Sequence, residues 1–216
     1  MIQREAVSIA LPTGVLMSGA LALLTRSRLM SVSAEELGRQ LLVERSGLRV
    51  ILVRPADVPA YVDHGAADLG IVGKDILWES PGSHYELVDL CFGACRLVLA
   101  VPDASSLDGP ETWPPLIRIA TKYPRTATTW FEARGQAVEV VQLHGSVELA
   151  PQVGLVDGIV DLTATGRTLR ENGLRVAGVL GASTARLIAN QASLKTRTEP
   201  VQSVVSKLRE ATGDDR

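Results

Sequence analysis

Aromatic residues are scarce in this chain of 216 residues, at 4%. A core built without them must be aliphatic, as the buried strands of α/β proteins are. Cysteine is nearly absent too, with only Cys91 and Cys95. Their C-x-x-x-C spacing is not a C-x-x-C redox pair, and no second Cys pair or His cluster completes a zinc site. Two small buried residues on adjoining strands, in a reduced cytoplasmic compartment, fit better than a disulfide scaffold. Neither charge dominates: 22 Lys and Arg stand against 24 Asp and Glu, a net charge of −2. Without a global basic field, nucleic acid and anionic membranes are not expected partners, and an anionic ligand needs a local site. With 46% hydrophobic and 21% charged residues, the bulk of the chain is not disordered. The uncharged run Ala6–Thr25 is interrupted by Pro12-Thr13-Gly14 and follows a leader, MIQRE, that is not basic. It reads as strand, turn and amphipathic helix instead of an export signal or membrane span.

What the chain does have is alternation. Short apolar runs, such as Val7–Leu11, Leu48–Val53, Leu69–Val72, Arg96–Val101, Ile117–Thr121, Val138–Leu143, Gly158–Leu162 and Arg175–Gly181, alternate with helix-length stretches. This pattern predicts mainly parallel sheets with helices on their faces. The length allows one large domain or two small ones. The Pro-, Ser- and Gly-rich segments Trp78–Glu86 and Pro102–Leu116 read as surface connections. The tail REATGDDR is expected to fray.

The most informative stretch is GIVDLTATGRTL, Gly158–Leu169. A buried strand runs into Thr163, Ala164, Thr165 and Gly166, and Thr168 opens a helix. Small residues let a backbone approach a phosphate monoester closely, and hydroxyls and successive N–H groups then converge on it. Asp161 falls at the strand's carboxyl end, where open α/β sheets bind ligands; a carboxylate there can grip sugar hydroxyls. Neither a P-loop nor a G-x-G-x-x-G follows any strand. The loop is similar to that of type I phosphoribosyltransferases, but those place two adjacent acids before it, and here Asp161 stands alone between Val160 and Leu162.

The longer block GSVELAPQVGLVDGIVDLTATGRTLRENGL (Gly145–Leu174) closely resembles the signature of the ATP phosphoribosyltransferase family, which catalyses the first step of histidine biosynthesis. LVRPADVPAYVDHGAADLGIVGKDIL (Leu52–Leu77), RIATKYP (Arg118–Pro124) and CRLVLA (Cys95–Ala100) resemble its other blocks in order. The resemblance implies an α/β, two-lobed type II periplasmic-binding-protein-like architecture with a central cleft. Lobe one is then residues 1–93 plus 170–216, and lobe two residues 94–169. It implies that ATP, through adenine N1, joins C1 of 5-phosphoribosyl 1-diphosphate with release of pyrophosphate. Mg²⁺ is expected on the substrate phosphates, without a protein ligand.

Residue roles follow from the same resemblance. Thr163, Ala164, Thr165, Gly166 and Thr168 would hold the 5′-phosphate, and Asp161 and Glu148 the ribose. Glu148 also fits the first turn of a helix capped by Ser146. Arg39 and Asp161 are the expected catalytic residues. Arg54, Asp68, Gly73 and Tyr123 are candidates for the nucleotide or pyrophosphate, Tyr123 by stacking on adenine or, equally, packing in its own turn. Lys74 reads as a solvated lysine, and His64 as a helix C-terminal residue before Gly65. The family's first loop carries Lys and Arg in a P-K-G-R-L pattern; here PTGVL puts Thr13 and Val15 in those places, so either Arg26 or Arg28 compensates or the chain is a slow or impaired homologue. The length resembles the family's short form, which works with a separate regulatory subunit similar to histidyl-tRNA synthetase, as a homodimer within a hetero-oligomer.

Overall fold

The computed structural model describes residues 6–107 and 109–213. Residues 214–216 of the tail expected to fray lie outside them. In chain order the strands are β1 (Val7–Pro12), β2 (Leu42–Arg45), β3 (Leu48–Val53), β4 (Leu69–Gly73), β5 (Tyr85–Asp89), β6 (Cys95–Pro102), β7 (Leu116–Thr121), β8 (Ala137–Gln142), β9 (Gly158–Thr163), β10 (Leu174–Ser183) and β11 (Ala185–Ala189). The helices are α1 (Met17–Arg26), α2 (Ala34–Leu37), α3 (Val58–Asp63), α4 (Lys74–Glu79), α5 (Pro124–Glu132), α6 (Leu149–Gln152), α7 (Arg167–Glu171), α8 (Gln191–Thr196) and α9 (Thr198–Thr212). None of the described helices is long and apolar enough to cross a membrane.

The chain divides into two units. The first runs to Gly93 and resumes at Thr184; the second is Ala94–Ser183. The expected return at residue 170 is therefore displaced to 184. The reason is β10, which pairs along its whole length with β6 and so belongs to the second sheet.

The first unit is a six-stranded sheet in the order β2-β3-β1-β4-β11-β5. Every residue of β1 is buried, as in a strand covered on both faces. Ile9 and Leu11 meet Leu23, Leu24 and Val205 of α1 and α9 on one face. Ala10 meets Val58 and Val62 of α3 on the other. Gly70 allows that second contact, because a Cβ there would stand 2.8 Å from both valines. The second unit is a five-stranded sheet in the order β10-β6-β9-β7-β8. One face, with Val98, Ala100, Ala120 and Ile159, packs on Val147, Ala150 and Leu169 from α6, α7 and the approach to α6. The helix α5 brings a fully buried Phe131 into contact with Trp113 and Trp130.

The expectation of mainly parallel sheets needs correction. The pairs β1–β3, β1–β4, β7–β8 and β7–β9 are parallel, as βαβ units require. The remaining pairs, β2–β3, β4–β11, β5–β11, β6–β9 and β6–β10, are antiparallel. A tight Ser46-Gly47 turn, both residues at positive φ, forces the first of these. The others arise from strands on either side of the two crossings between units.

Candidate functional site

Parallel strands gather their carboxyl ends at one edge of a sheet, and ligands bind there. In the second unit that edge carries Thr121 at the end of β7 and Lys122 after it, His144–Glu148 after β8, and the Thr163–Thr168 loop that starts on the last residue of β9. The loop is organised by its own hydroxyls. Gly166 N–H donates to Thr163 Oγ1 at 2.8 Å, and Arg167 N–H to Thr165 Oγ1 at 3.4 Å. A hydroxyl that accepts in this way keeps its own proton to donate. Gly166 has φ +73°, the left-handed region that costs other residues strain. A Cβ there would also stand 3.0 Å from Arg170 Nη1, which reaches back to Thr165 O at 3.1 Å. Ala164, Thr165 and Thr168 are exposed, while Thr163 is buried.

Asp161 lies on the same strand face as Thr163, two residues earlier. Its pKa is raised, chiefly by burial and also by the Glu148 carboxylate; the Leu162 N–H (2.8 Å) and Lys122 oppose that rise. Asp161 is thus close enough to Glu148 and to Lys122 to sense the charge of each. Glu148 occupies the N-cap position of α6, which no side chain caps, so Ser146 does not play the capping role open to it. Ser146 instead takes φ +48°, unusual for a residue with a Cβ. Lys122 was not a candidate from sequence, although the RIATKYP block contains it. The signal available was a charged residue one step past a parallel strand.

In the first unit, β2 and β3 form a hairpin in which Leu52 N–H donates to Leu41 O. Arg39 precedes that pair by two residues and Arg54 follows it by two. The fold therefore brings Arg39 and Arg54 to the same end of the hairpin, at the carboxyl edge of β3. Both are exposed, and among the described residues neither makes an ion pair or a side-chain hydrogen bond. The first-loop backbone joins this edge through Thr13 N–H to Val53 O at 2.8 Å, with Val15 exposed. Gly73 ends β4 at the same edge, and a Cβ on it would collide with the Asp75 carboxylate. Lys74 is paired with Glu86 at 2.5 Å. His64 caps the carboxyl end of α3 before Gly65, as expected.

Two candidates are not where a ligand would need them. Asp68 precedes β4 at its amino end and is 3% exposed. Its carboxylate accepts from Ser8 N–H and Ser8 Oγ (2.8 Å each), Ser193 Oγ (2.7 Å) and Arg197 Nη1 (2.5 Å). It ties β1, β4 and α8 to the start of α9. Tyr123 is 7% exposed at the start of α5, its N–H donating to Thr121 Oγ1 at 2.9 Å. That burial favours local packing over an open stacking face. Cys91 and Cys95 form no disulfide; Cys91 is exposed between β5 and β6 and Cys95 is half-buried at the start of β6, so the two buried residues expected on adjoining strands are not found. No group of three or more His, Cys, Asp or Glu among the described residues is arranged to hold a metal ion.

A hydroxyl-lined loop after a parallel strand, beside a carboxylate whose pKa is raised, is chemically suited to a phosphate monoester. Comparison with known proteins narrows the reading. The family model HisG, ATP phosphoribosyltransferase, matches residues 54–210. ATP phosphoribosyltransferases of Caldanaerobacter subterraneus subsp. tengcongensis and Rubrobacter xylanophilus are 46% and 48% identical over 208 and 202 residues. Those matches cover 95% and 93% of this chain and 97% and 94% of theirs. The ATP phosphoribosyl transferase (HisG:HisZ) complex from Thermotoga maritima is similar in structure, with TM-score 0.82 at 34% identity, over 97% of this chain and 100% of that one. The periplasmic aliphatic sulphonate binding protein SsuA from Escherichia coli shares the fold alone, with TM-score 0.62 at 15% identity over 97% of this chain and 69% of that one. The chain belongs to the ATP phosphoribosyltransferase family, and its two-sheet α/β architecture is of the periplasmic-binding-protein type.

Proposed function

We infer that this protein is an ATP phosphoribosyltransferase, a pentosyltransferase at the entry to histidine biosynthesis. Adenine N1 attacks C1 of 5-phosphoribosyl 1-diphosphate; the N1–C1 bond forms, the C1–O bond breaks, and pyrophosphate leaves. Adenine N1 carries no proton in the neutral base, so attack needs no strong general base. Positioning, charge stabilisation and exclusion of water carry the rate. The observation that most supports this reading is the strand end that presents Asp161 and the Thr163–Thr168 loop on one face, beside Glu148. In this reading the loop hydroxyls and N–H groups hold the 5′-phosphate, Asp161 and Glu148 orient the ribose hydroxyls, and Arg39 and Arg54 bind phosphate groups. Asp68 and Tyr123 contribute packing in place of substrate contacts.

Mg²⁺ is proposed to arrive on the substrate phosphates and to offset charge on the departing pyrophosphate. Asp161 and Glu148 are too few to form an all-protein cage. A separate HisZ-like regulatory subunit is proposed as partner, with this chain a homodimer inside the hetero-oligomer; the Thermotoga maritima complex supports the pairing. Two cysteines that form no disulfide suit a reduced cytoplasmic setting. The test is pyrophosphate release with ATP, phosphoribosyl diphosphate and Mg²⁺, with and without that partner. Release that requires the adenine nucleotide is expected. No release in either condition returns the chain to a non-catalytic subunit.

A further inference from the structure

We propose that Arg96 is the cation that neutralises the phosphate monoester held by the Thr163–Thr168 loop; this rests on the phosphoribosyl reading above. A phosphate monoester carries about −1.5 to −2 charges near neutral pH. The loop can solvate that charge but has no uncommitted cation of its own. Arg167 is paired with Glu171 at 2.7 Å, and Arg170 is turned to Thr165 O. Two carboxylates, Asp161 and Glu148, stand nearby against one lysine, Lys122.

Arg96 is placed to answer this. In the antiparallel β6–β9 pair, Arg96 stands directly opposite Thr163, the first residue of the loop, and Val98 opposite Asp161. Opposed residues share a face, and so do residues two apart on one strand. Arg96, Thr163 and Asp161 therefore project to the same side, with opposed Cβ atoms about 5 Å apart. That is the face on which Val98, Ala100 and Ile159 pack further along the strands, so the cation sits where the apolar floor ends. Arg96 is also the one charged residue in β6, CRLVLAVP. It is exposed, and among the described residues its side chain has no hydrogen bond and no ion pair. The strand that carries it is held on both sides, by β9 and β10, which fixes its root. A planar guanidinium can then meet two phosphate oxygens at once, which an ammonium cannot.

The experiment is calorimetric titration of phosphoribosyl diphosphate with Mg²⁺ into wild type, Arg96→Met, Arg96→Lys and Thr165→Val, each checked by thermal melting. Arg96→Met is expected to weaken binding about ten- to a hundredfold, as loss of a charge-assisted hydrogen bond does, with the melting temperature unchanged. Arg96→Lys should recover part of the loss. Wild-type affinity should fall more steeply with salt than that of Arg96→Met. Arg96→Met affinity within twofold of wild type, while Thr165→Val binds weakly, overturns the role of Arg96 and leaves the loop assignment standing. Wild-type affinity in both variants overturns the loop assignment and the proposal with it. Should Arg96→Met fail to melt cooperatively, Arg96→Gln and Arg96→Lys decide by the same twofold criterion.

Discussion

Asp68→Ala should destabilise the first unit severely without touching substrate binding. The carboxylate is 3% exposed and accepts four hydrogen bonds, two from Ser8, one from Ser193 and one from Arg197. Removing it leaves the Ser8 N–H without an acceptor inside a strand that is buried throughout. It also takes the carboxylate from Arg197, whose side chain is only 20% exposed and whose remaining contacts include Ala6 O at 3.0 Å. Breaking a buried pair from one side costs about 3–5 kcal/mol. For a chain of this size, each kcal/mol moves the melting temperature by roughly 2–4 °C, so a drop of about 6–20 °C is expected. The pH dependence follows from the Asp68 pKa. Burial would raise it, but the bonds from Ser8 and Ser193 and the Arg197 charge outweigh burial and leave it lowered. A depressed carboxylate adds stability that is fully present above the unfolded pKa of about 3.9 and is lost as pH falls through the folded value. The gap between wild type and Asp68→Ala should therefore be full at neutral pH and shrink in acid. Melting followed by circular dichroism at both pH values measures this. A neutral-pH change under about 1 kcal/mol, or weaker phosphoribosyl diphosphate binding with stability intact, refutes the structural role.

Asp161→Asn should abolish pyrophosphate release yet raise the melting temperature at neutral pH. A raised folded pKa means that ionisation opposes folding, with stability lost as pH rises through the folded value; a lower melting temperature contradicts this. Gly166→Ala places a Cβ at φ +73° and 3.0 Å from Arg170 Nη1, and should cost about 1–2 kcal/mol together with affinity for phosphoribosyl diphosphate; unfolding and titration curves matching wild type contradict that. Phe131→Ala removes the largest fully buried side chain from the second unit, and denaturant unfolding should show a loss of about 3–5 kcal/mol. A loss below about 1 kcal/mol would mean that the α5 core with Trp113 and Trp130 is not packed as described.

Most strands were readable from sequence because their apolar runs are bounded by Gly, Pro or charged residues. Leu48–Val53 begins and ends where expected, and Gly158–Thr163 runs one residue longer. The strand β2 escaped because it is an edge strand with only Val43 buried, so no apolar run marks it. The short α2 escaped too, although Ser33 and Glu36 form a capping box and S-x-x-E was there to be read. The displaced return at Thr184 had no local signal. Whether Leu174–Ser183 pairs with β6 or crosses back is decided by non-local pairing, which an apolar run does not encode.

The site divides the same way. The loop and Asp161 were legible because a strand, small residues and hydroxyls succeed one another over twelve positions. Asp68 was misplaced although AADLGIV puts the acid before the strand, and hence at the amino end of a parallel strand, away from the edge where ligands bind. The proximity of Lys122 and Arg96 to the β9 strand end depends on strand order and register, and both become visible only in the fold.

The central claim is that Asp161 and the Thr163–Thr168 loop form the phosphoribosyl diphosphate site. Titration of that substrate into wild type, Asp161→Ala and Thr165→Val tests it most directly. Measurable binding to wild type and at least about tenfold weaker binding to each variant are expected. Equal affinity in all three would contradict it.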